Sequence, residues 1–226
     1  MKILLLGATG MVGQGVLREC LADPRVTRVV IIGRTPLGQQ HEKLQEILHK
    51  DFLDFTPLRA ELTGFDACFF CLGISASGLT EEAYHRITYE TTLAFAQVLV
   101  EQSPASTFIY VSGAGTDSTE KGRFMWARVK GKTENALFKL PFKSAIMFRP
   151  GYIQPLHGIR SKTRLYRMVY AVMAPFFPFW RWVLPRYVTT TEDVGRAMLQ
   201  VALHGTEKKL LENGDIGDLA RLYSTP

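Results

Sequence analysis

The feature that most constrains the fold of this chain is an apolar run that passes directly into a glycine-rich turn. Residues Ile3–Leu6 are all Ile or Leu, and the residues that follow are Gly7, Ala8, Thr9, Gly10, Met11, Val12 and Gly13. Glycines in this order permit a tight turn, let the backbone approach a pyrophosphate, and let the next helix pack closely against the strand. The amino end of that helix attracts negative charge. We therefore predict a dinucleotide-binding site at residues 7–13.

Short apolar runs alternate with longer helical patterns along the chain. Six runs have the composition of strands covered on both faces: Lys2–Gly7, Val26–Ile32, Glu46–Lys50, Ala67–Leu72, Thr107–Ser112 and Ser144–Arg149. Helices are predicted at Met11–Ala22, Pro57–Leu62, Glu81–Gln102 and Arg123–Leu140. Alternation at this spacing predicts an α/β fold of the Rossmann type, a doubly wound parallel sheet in a three-layer αβα arrangement. Ligands of such sheets bind at the carboxyl ends of the strands.

The C-terminal part is predicted to complete the same domain. Thr189-x-x-Glu192 suggests a capping box before an amphipathic helix that ends near Gly205, and Lys209–Glu212 is predicted to be a short strand. We expect residues 1–226 to form a single NAD(P)-binding domain.

The net charge of +6 is concentrated in one segment. No Asp or Glu occurs between Asn135 and Thr191, whereas nine basic residues do: Lys139, Lys143, Arg149, Arg160, Lys162, Arg164, Arg167, Arg181 and Arg186. We predict that residues 150–190 form a basic, aromatic-rich insertion on the substrate side of the domain. A pocket lid or a subunit interface is the favoured interpretation, and contact with a membrane surface is the less favoured one. No nucleic-acid partner is predicted, because no nucleic-acid-binding motif is recognised.

Arg34 and Asp51, which both follow the glycine-rich turn, bear on how the cofactor is bound. The second predicted strand ends in Gly33-Arg34, where an NAD site usually offers a carboxylate to the ribose hydroxyls. Arg34 suits a 2′-phosphate, so NADP is favoured over NAD; the alternative is a solvated surface Arg. Asp51, just past the third strand, is either an acceptor for the adenine amino group or an ordinary loop carboxylate.

The cysteines and the apolar segments exclude several classes of protein. Three Cys in 226 residues do not suggest a disulfide scaffold, which favours a cytoplasmic protein. Cys68 and Cys71 lie three apart on a predicted strand, so their side chains point to opposite faces and we predict no metal site. The longest uncharged apolar stretch, Met168–Trp180, has 13 residues and is shorter than the roughly 20 needed to cross a bilayer.

Further motifs are placed at the ends of the predicted elements. They are Ile32-Gly33-Arg34, Cys71-Leu72-Gly73, Val111-Ser112-Gly113, Val129-Lys130-Gly131, Phe148-Arg149-Pro150-Gly151 and Leu211-Glu212-Asn213. With the glycine-rich turn, these motifs make the chain similar to the atypical branch of the short-chain dehydrogenase/reductase family. Within it, the chain resembles the Tat-interacting-protein-like NAD(P)-binding oxidoreductases and their bacterial relatives, often called nucleotide-sugar epimerase-like.

The resemblance implies roles for residues at the ends of the later strands. It implies that Leu72 and Gly73 lie along the cofactor, and that the residues of the Arg-Pro-Gly segment contribute to the same site. Those residues are Pro150 and Gly151, with Tyr152 and Ile153 bordering the nicotinamide. It also implies that Ser112 and Lys130 belong to the catalytic set.

The chain departs from the family at one catalytic position. The usual set is a Ser after the fifth strand and a Tyr-x-x-x-Lys, in which Tyr is the acid/base and Lys holds the ribose. Ser112 and Lys130 match this pattern, but Trp126 stands four residues before the Lys. An indole N–H donates a hydrogen bond but does not titrate usefully, so it cannot replace a phenol in proton transfer.

Three explanations of Trp126 are open. Hydride passes to an acceptor such as a flavin or a quinone, which needs little acid catalysis. Alternatively, another side chain is the acid, and the candidates are Tyr84, His85, Tyr89, Tyr152 and His157. The third explanation is a non-catalytic protein that senses NADP(H). We predict an NADP(H)-binding oxidoreductase with a small-molecule substrate of unidentified class, and a homodimer is left open.

Overall fold

A seven-stranded parallel sheet forms the centre of the computed structural model, which describes residues 1–159 and 186–224 together with residues 177, 183 and 184. Its strands are β1 (Lys2–Leu6), β2 (Arg28–Gly33), β3 (Leu44–Leu48), β4 (Ala67–Phe70), β5 (Thr107–Val111), β6 (Ser144–Arg149) and β9 (Leu210–Glu212). They are arranged in the order β3-β2-β1-β4-β5-β6-β9, and every neighbouring pair is parallel. Two further strands, β7 (Tyr152–Gln154) and β8 (Val188–Thr190), pair with each other in parallel outside this sheet.

Helices cover both faces of the sheet. They are α1 (Met11–Ala22), a 3₁₀ helix (Thr56–Leu62), α2 (Glu81–His85), α3 (Thr91–Gln102), α4 (Met125–Leu137), α5 (Thr191–His204) and α6 (Asn213–Leu222). A π-helical turn, Arg86–Glu90, joins α2 to α3, so the predicted helix over 81–102 is one continuous element. Helices α1, α5 and α6 share one hydrophobic cluster with the sheet, and the 3₁₀ helix, α3 and α4 share a second. The predicted three-layer Rossmann-type fold is therefore confirmed.

The alternation of strand faces explains how the two clusters form. Along β1, Ile3 and Leu5 pack in the cluster with α1, while Leu4 and Leu6 pack in the cluster with α3. Cys68 and Cys71 are divided in the same way, the former in the cluster with α3 and the latter against the cluster with α1. This confirms that the two thiols point to opposite faces.

The structure corrects several predicted boundaries. Strand β3 covers Leu44–Leu48 rather than Glu46–Lys50, and α4 begins at Met125 rather than at Arg123. The capping box lies one residue later than predicted: Thr190 Oγ1 accepts from Asp193 N at 2.9 Å, and Thr190 N donates to Asp193 Oδ2 at 3.1 Å. Thr189 is the residue before this N-cap and is buried in β8.

Only part of the predicted insertion over 150–190 can be compared with the structure. Strands β7 and β8 form its two ends. The residues that carry the lid, interface and membrane-surface interpretations, from Arg160 to Trp180 and Arg181, lie outside the described residues apart from Phe177. Those interpretations, like the assignment of one domain to residues 1–226, stay predictions. None of the helices in the described ranges is both long and apolar enough to cross a membrane.

Candidate functional site

The glycine-rich turn brings β1, β4 and α1 into close backbone contact. Gly7 has a φ of +83°, and Gly10 N donates to Gly7 O at 2.8 Å. A Cβ on Gly7 would lie 2.6 Å from the backbone of Cys71 and Leu72, and a Cβ on Gly13 would lie 2.1 Å from Gly7 O. Side chains at these two positions would push the three elements apart, so glycine is required at both.

The amino end of α1 differs from the amino ends of α5 and α6. Carboxylates cap the latter two: Asp193 belongs to the capping box of α5, and Glu212 and Asp215 form the capping box of α6. Helix α1 begins after Gly10, and in the described part of the chain no side chain caps it and no acidic residue lies in its first turn. The positive end of the helix dipole and its first amides therefore suit an external anion such as a pyrophosphate.

A cavity of about 300 Å³ lies beside this turn, at the carboxyl ends of β1 and β2. It is lined by Gly7, Ala8, Thr9, Ile31, Ile32, Gly33, Arg34, Thr35, Glu46, Phe52 and Leu72. The exposed Arg34 guanidinium stacks over the Phe52 ring at 5.7 Å. The structure therefore brings Arg34 and Leu72 together with the turn, as the predicted site requires.

Asp51 is a neighbour of this cavity rather than one of its lining residues. It is exposed, and its Oδ1 accepts a hydrogen bond from Leu53 N at 2.9 Å. The sequence interpretation missed two residues that do line the cavity, Phe52 and Glu46. Glu46 lies on β3, and its Oε1 accepts from Leu37 N at 2.7 Å, which holds the β2–β3 loop. Placing β3 two residues earlier would have revealed Glu46 at the centre of the edge strand.

Lys130 lies where α4 meets the carboxyl end of β5. Its ammonium donates to the backbone carbonyl of Ser112, and a Cβ on Gly113 would lie 3.7 Å from Lys130 Nζ. Burial lowers the pKa of Lys130 to about 8, although the Glu134 carboxylate opposes this shift. The adjacent Gly131 permits this approach of α4, because a Cβ there would lie 1.8 Å from Asp117 O.

The Ser112 hydroxyl makes its hydrogen bonds within the protein. Ser112 is 2% exposed, and its Oγ lies 2.5 Å from Glu134 Oε1 and 3.1 Å from the carbonyl oxygen of Phe148. The structure thus brings Ser112 and Lys130 together, but Lys130 contacts the serine backbone while the hydroxyl contacts Glu134.

Trp126 lies one helical turn before Lys130 on α4. Its ring packs against the loop after β5, since a Cβ on Gly115 would lie 3.3 Å from Trp126 Cη2. The indole therefore borders the same loop that carries Ser112, at the helix position where the family's tyrosine is expected.

Four of the five candidate acids are either buried or in contact with other side chains. Tyr84 is 1% exposed. His85 stacks on Tyr89 at 4.6 Å between ring centroids, and its Nε2 lies 3.1 Å from Lys132 Nζ. His157 has a φ of +55°, and its Nε2 lies 2.6 Å from Glu192 Oε2 on α5.

Tyr152 is the fifth candidate, and it follows the Arg-Pro-Gly segment. It is half-buried, its hydroxyl donates to Gln154 Oε1 at 2.7 Å, and burial raises its pKa. The segment itself touches the loop after β5, because Ala114 N donates to Pro150 O at 2.8 Å. Ile153 is 8% exposed and packs into the cluster with α5, so little of its side chain is available to a ligand.

Asn213 fixes the loop after β6, a role the sequence interpretation did not assign. Its Oδ1 accepts from Gly151 N at 2.8 Å, and its Nδ2 donates to Arg186 O at 3.2 Å. A Cβ on Gly151 would lie 2.6 Å from Tyr187 O, so glycine lets the two segments meet. These contacts border a cavity of about 460 Å³ lined by Ala114, Gly151, Arg186, Tyr187, Glu212, Asn213, Gly214, Asp215, Gly217, Asp218 and Arg221.

The described residues hold no group of three or more His, Cys, Asp or Glu side chains suited to a metal ion. The three cysteines are free thiols, and burial raises the pKa of Cys20 and Cys68 well above the ordinary range. Among the residues that the structure describes, the glycine-rich turn, Arg34, Lys130 and Tyr152 offer binding or acid–base chemistry at the carboxyl ends of the strands.

Comparisons with known proteins agree with this geometry. A protein family described as NAD(P)H-binding matches residues 7–138. The chain is 30% identical to Protein FMP52, mitochondrial, of Saccharomyces cerevisiae over 168 residues, which cover 73% of this chain and 69% of the yeast protein. It is 27% identical to Protein HTATIP2 of Rattus norvegicus over 155 residues, which cover 67% of this chain and 62% of the rat protein. The expected similarity to Tat-interacting-protein-like proteins is confirmed.

Among solved structures, UDP-glucuronic acid 4-epimerase from Bacillus cereus in complex with NAD resembles this chain in fold. The TM-score is 0.64 at 16% sequence identity, and the match covers 93% of this chain and 76% of the epimerase. At this level of identity the likeness concerns the fold alone.

The prediction of a cytoplasmic protein is contradicted. The fungal relatives, including those of Saccharomyces cerevisiae and Emericella nidulans, carry the word mitochondrial in their names. The prediction rested on the small number of cysteines, and free thiols are compatible with any reducing compartment.

Proposed function

The chain belongs to the family of NAD(P)H-binding proteins, and we propose that it is an NADP(H)-dependent oxidoreductase of the atypical short-chain dehydrogenase/reductase type. The observation that carries the proposal is the uncapped amino end of α1 beside the cavity that Arg34 lines. Such an end attracts a pyrophosphate, and a guanidinium near the end of β2 suits a 2′-phosphate.

In this proposal each predicted residue has one task in holding the cofactor. The turn, Gly7–Gly13, binds the pyrophosphate through its backbone. Arg34 binds the 2′-phosphate, Asp51 accepts a hydrogen bond from the adenine, and Leu72 and Gly73 lie along the dinucleotide. Lys130 donates to the ribose hydroxyls, and Pro150–Ile153 border the nicotinamide. The bound NADPH supplies a hydride.

The substrate is proposed to be a small molecule that enters on the side of Ala114 and Gly151. The cavity of about 460 Å³ on that side has the size of a small-molecule site. Because Trp126 cannot release a proton, we propose an acceptor that needs little acid catalysis, such as a flavin or a quinone. Tyr152 is the remaining candidate acid, since it follows the loop that touches Ala114.

A direct test of cofactor choice is to titrate the purified protein with NADPH and with NADH by fluorescence. We expect tighter binding of NADPH, and Arg34→Ala should weaken NADPH binding by roughly 10- to 100-fold, the value of one charge-assisted contact, with little effect on NADH. Arg28→Ala is the matched control, because Arg28 is exposed at the opposite end of the same strand. Absence of binding of either nucleotide at millimolar concentration would refute the proposal.

The second candidate function is a non-catalytic protein that senses NADP(H). Two observations favour it: Trp126 stands in place of the family's tyrosine, and the Ser112 hydroxyl contacts Glu134. The two functions differ in turnover. An enzyme oxidises NADPH in the presence of quinones or flavins, whereas a sensor binds NADPH without consuming it.

A further inference from the structure

A buried ion pair lies beneath the loop that carries Ser112. Glu134 on α4 is fully buried, and Arg149 at the end of β6 is 8% exposed. The two side chains are paired twice, with Arg149 Nε 3.0 Å from Glu134 Oε1 and Arg149 Nη2 2.5 Å from Glu134 Oε2. Burying two charges carries a large desolvation cost before pairing, and such pairs often add little net stability.

The pair reaches four separate parts of the chain. Glu134 Oε1 accepts from Ser112 Oγ at 2.5 Å. Arg149 Nη2 donates to Ser118 Oγ at 2.5 Å, and Arg149 Nη1 lies 3.3 Å from Glu212 Oε1. Helix α4, strand β6, the loop after β5 and the end of β9 are thus joined by two side chains.

Glu134 and Lys130 act on the same residue from one face of α4. They are four positions apart, which places them one helical turn from each other. Lys130 donates to the Ser112 carbonyl, and Glu134 accepts from the Ser112 hydroxyl. Ser112 is therefore held at both its backbone and its side chain.

Resting on the proposed NADP(H) site, we propose that Glu134, itself held by Arg149, is a positioning residue that fixes Ser112, supplies negative charge beside the Lys130 ammonium and thereby aligns that ammonium for the ribose. Neither residue of the ion pair touches the cofactor in this proposal. Ser112 serves as the link between the pair and Lys130, which differs from the catalytic hydroxyl that the family pattern implies.

The charges around Lys130 give this proposal a measurable consequence. The Glu134 carboxylate acts on the Lys130 ammonium, and Glu134 is in turn paired with Arg149, which lies 3.3 Å from Glu212. The buried Tyr110 phenol also lies near the Glu134 carboxylate, and Tyr84 lies near Tyr110. Glu134→Gln removes the carboxylate charge and leaves the Arg149 cation in place, so both changes favour neutral Lys130.

The test is the dissociation constant of NADPH from the full chain between pH 6 and pH 10. In the unaltered protein, affinity should fall as the pH rises through about 8, where Lys130 loses its proton. In Glu134→Gln this midpoint should move down by about one pH unit. In Lys130→Met the midpoint should vanish, which assigns it to that lysine. Glu101→Gln is the control, because this exposed carboxylate on α3 pairs only with the surface residue Arg59 among its described partners.

A purely structural role for Glu134 would lower stability or overall affinity without moving the midpoint, and that result would overturn the proposal. If Glu134→Gln does not fold, Ser112→Ala tests the link while the ion pair remains intact. Ser112→Ala should weaken NADPH binding several-fold at pH 7, and wild-type affinity in this variant would equally overturn the proposal. Failure of the unaltered protein to bind NADPH would refute the proposed function instead.

Discussion

The most informative substitution in the glycine-rich turn is Gly10→Ala, because the structure separates its effect on folding from its effect on binding. Gly10 has a φ of −82° and a ψ of 164°, which alanine adopts without strain. Its added Cβ would lie 3.2 Å from Gly7 O and would have no closer contact among the described atoms. Movement of a few tenths of an ångström relieves that contact.

The cost to folding should therefore be small. Alanine is a poorer N-cap than glycine by roughly 0.5–1 kcal/mol, and the loss of backbone freedom in the unfolded chain returns about 0.4–1 kcal/mol. We expect the free energy of unfolding to change by less than about 1 kcal/mol, measured by urea denaturation. Binding should change far more, since this glycine is the one whose backbone approaches the pyrophosphate. NADPH affinity should fall at least tenfold, or about 1.4 kcal/mol.

Substitutions at two other glycines serve as comparisons for Gly10→Ala. Gly13→Ala places a Cβ 2.1 Å from Gly7 O, so α1 must move by about 1 Å and the protein should lose about 3 kcal/mol or more of stability. Gly73→Ala meets nothing within 4 Å and has no positive φ, so stability should remain unchanged. If Gly10→Ala binds NADPH as tightly as the unaltered protein, the proposed approach of the pyrophosphate is wrong. Equal destabilisation by Gly10→Ala and Gly13→Ala would show that the contact distances do not govern the turn.

Three further predictions concern the catalytic side. Trp126→Tyr supplies the phenol that the short-chain dehydrogenase/reductase pattern predicts at this position, so the variant should reduce carbonyl compounds with NADPH if the native protein lacks only the acid. An inactive variant would show that Ser112 or the substrate pocket also departs from the pattern. Asn213→Ala removes a buried side-chain amide that bonds two partly buried backbone groups, Gly151 N and Arg186 O, and should cost about 1–3 kcal/mol of unfolding free energy, whereas the more exposed Asn135→Ala should cost less. Burial lowers the pKa of Lys130 to about 8, so its charged form opposes folding of the free protein. The free energy of unfolding should therefore rise as the pH increases from about 8 toward the pKa of an unperturbed lysine. Lys130→Met should remove this dependence from the urea midpoint.

Local patterns were sufficient to predict the fold because the central strands are buried on both faces. Four consecutive residues of β4 and four of β5 are buried, so an apolar run marks each strand without any need for alternation. The edge strand β3 has no such run, and its residues are mostly exposed. The predicted boundaries of β3 therefore lie two residues too late, and the sequence interpretation did not assign Glu46 to the site.

The parts of the site that could not be predicted from the sequence depend on contacts between residues far apart in the chain. Asn213 holds Gly151 across 62 positions of sequence, and Arg149 reaches Glu212 across 63. No spacing rule links such pairs, because their proximity arises from the pairing of β6 with β9. The motif at Leu211-Glu212-Asn213 was visible as a resemblance, but its task of holding the loop after β6 required the sheet order.

Ser112 shows how a matching residue type can have a different task. Its position after β5 agrees with the family pattern, and so does Lys130 on the following helix. The direction of a side chain at the end of a strand depends on what the neighbouring helix offers, and here α4 offers a buried carboxylate one turn beyond the lysine. A charged residue on the core-facing side of a helix is costly unless it is paired. Glu134 on α4 and Arg149 at the end of β6 are therefore a sequence signal for a buried ion pair. Searching for buried opposite charges at adjacent strand and helix ends would have identified this pair, and with it the reason that the Ser112 hydroxyl is occupied.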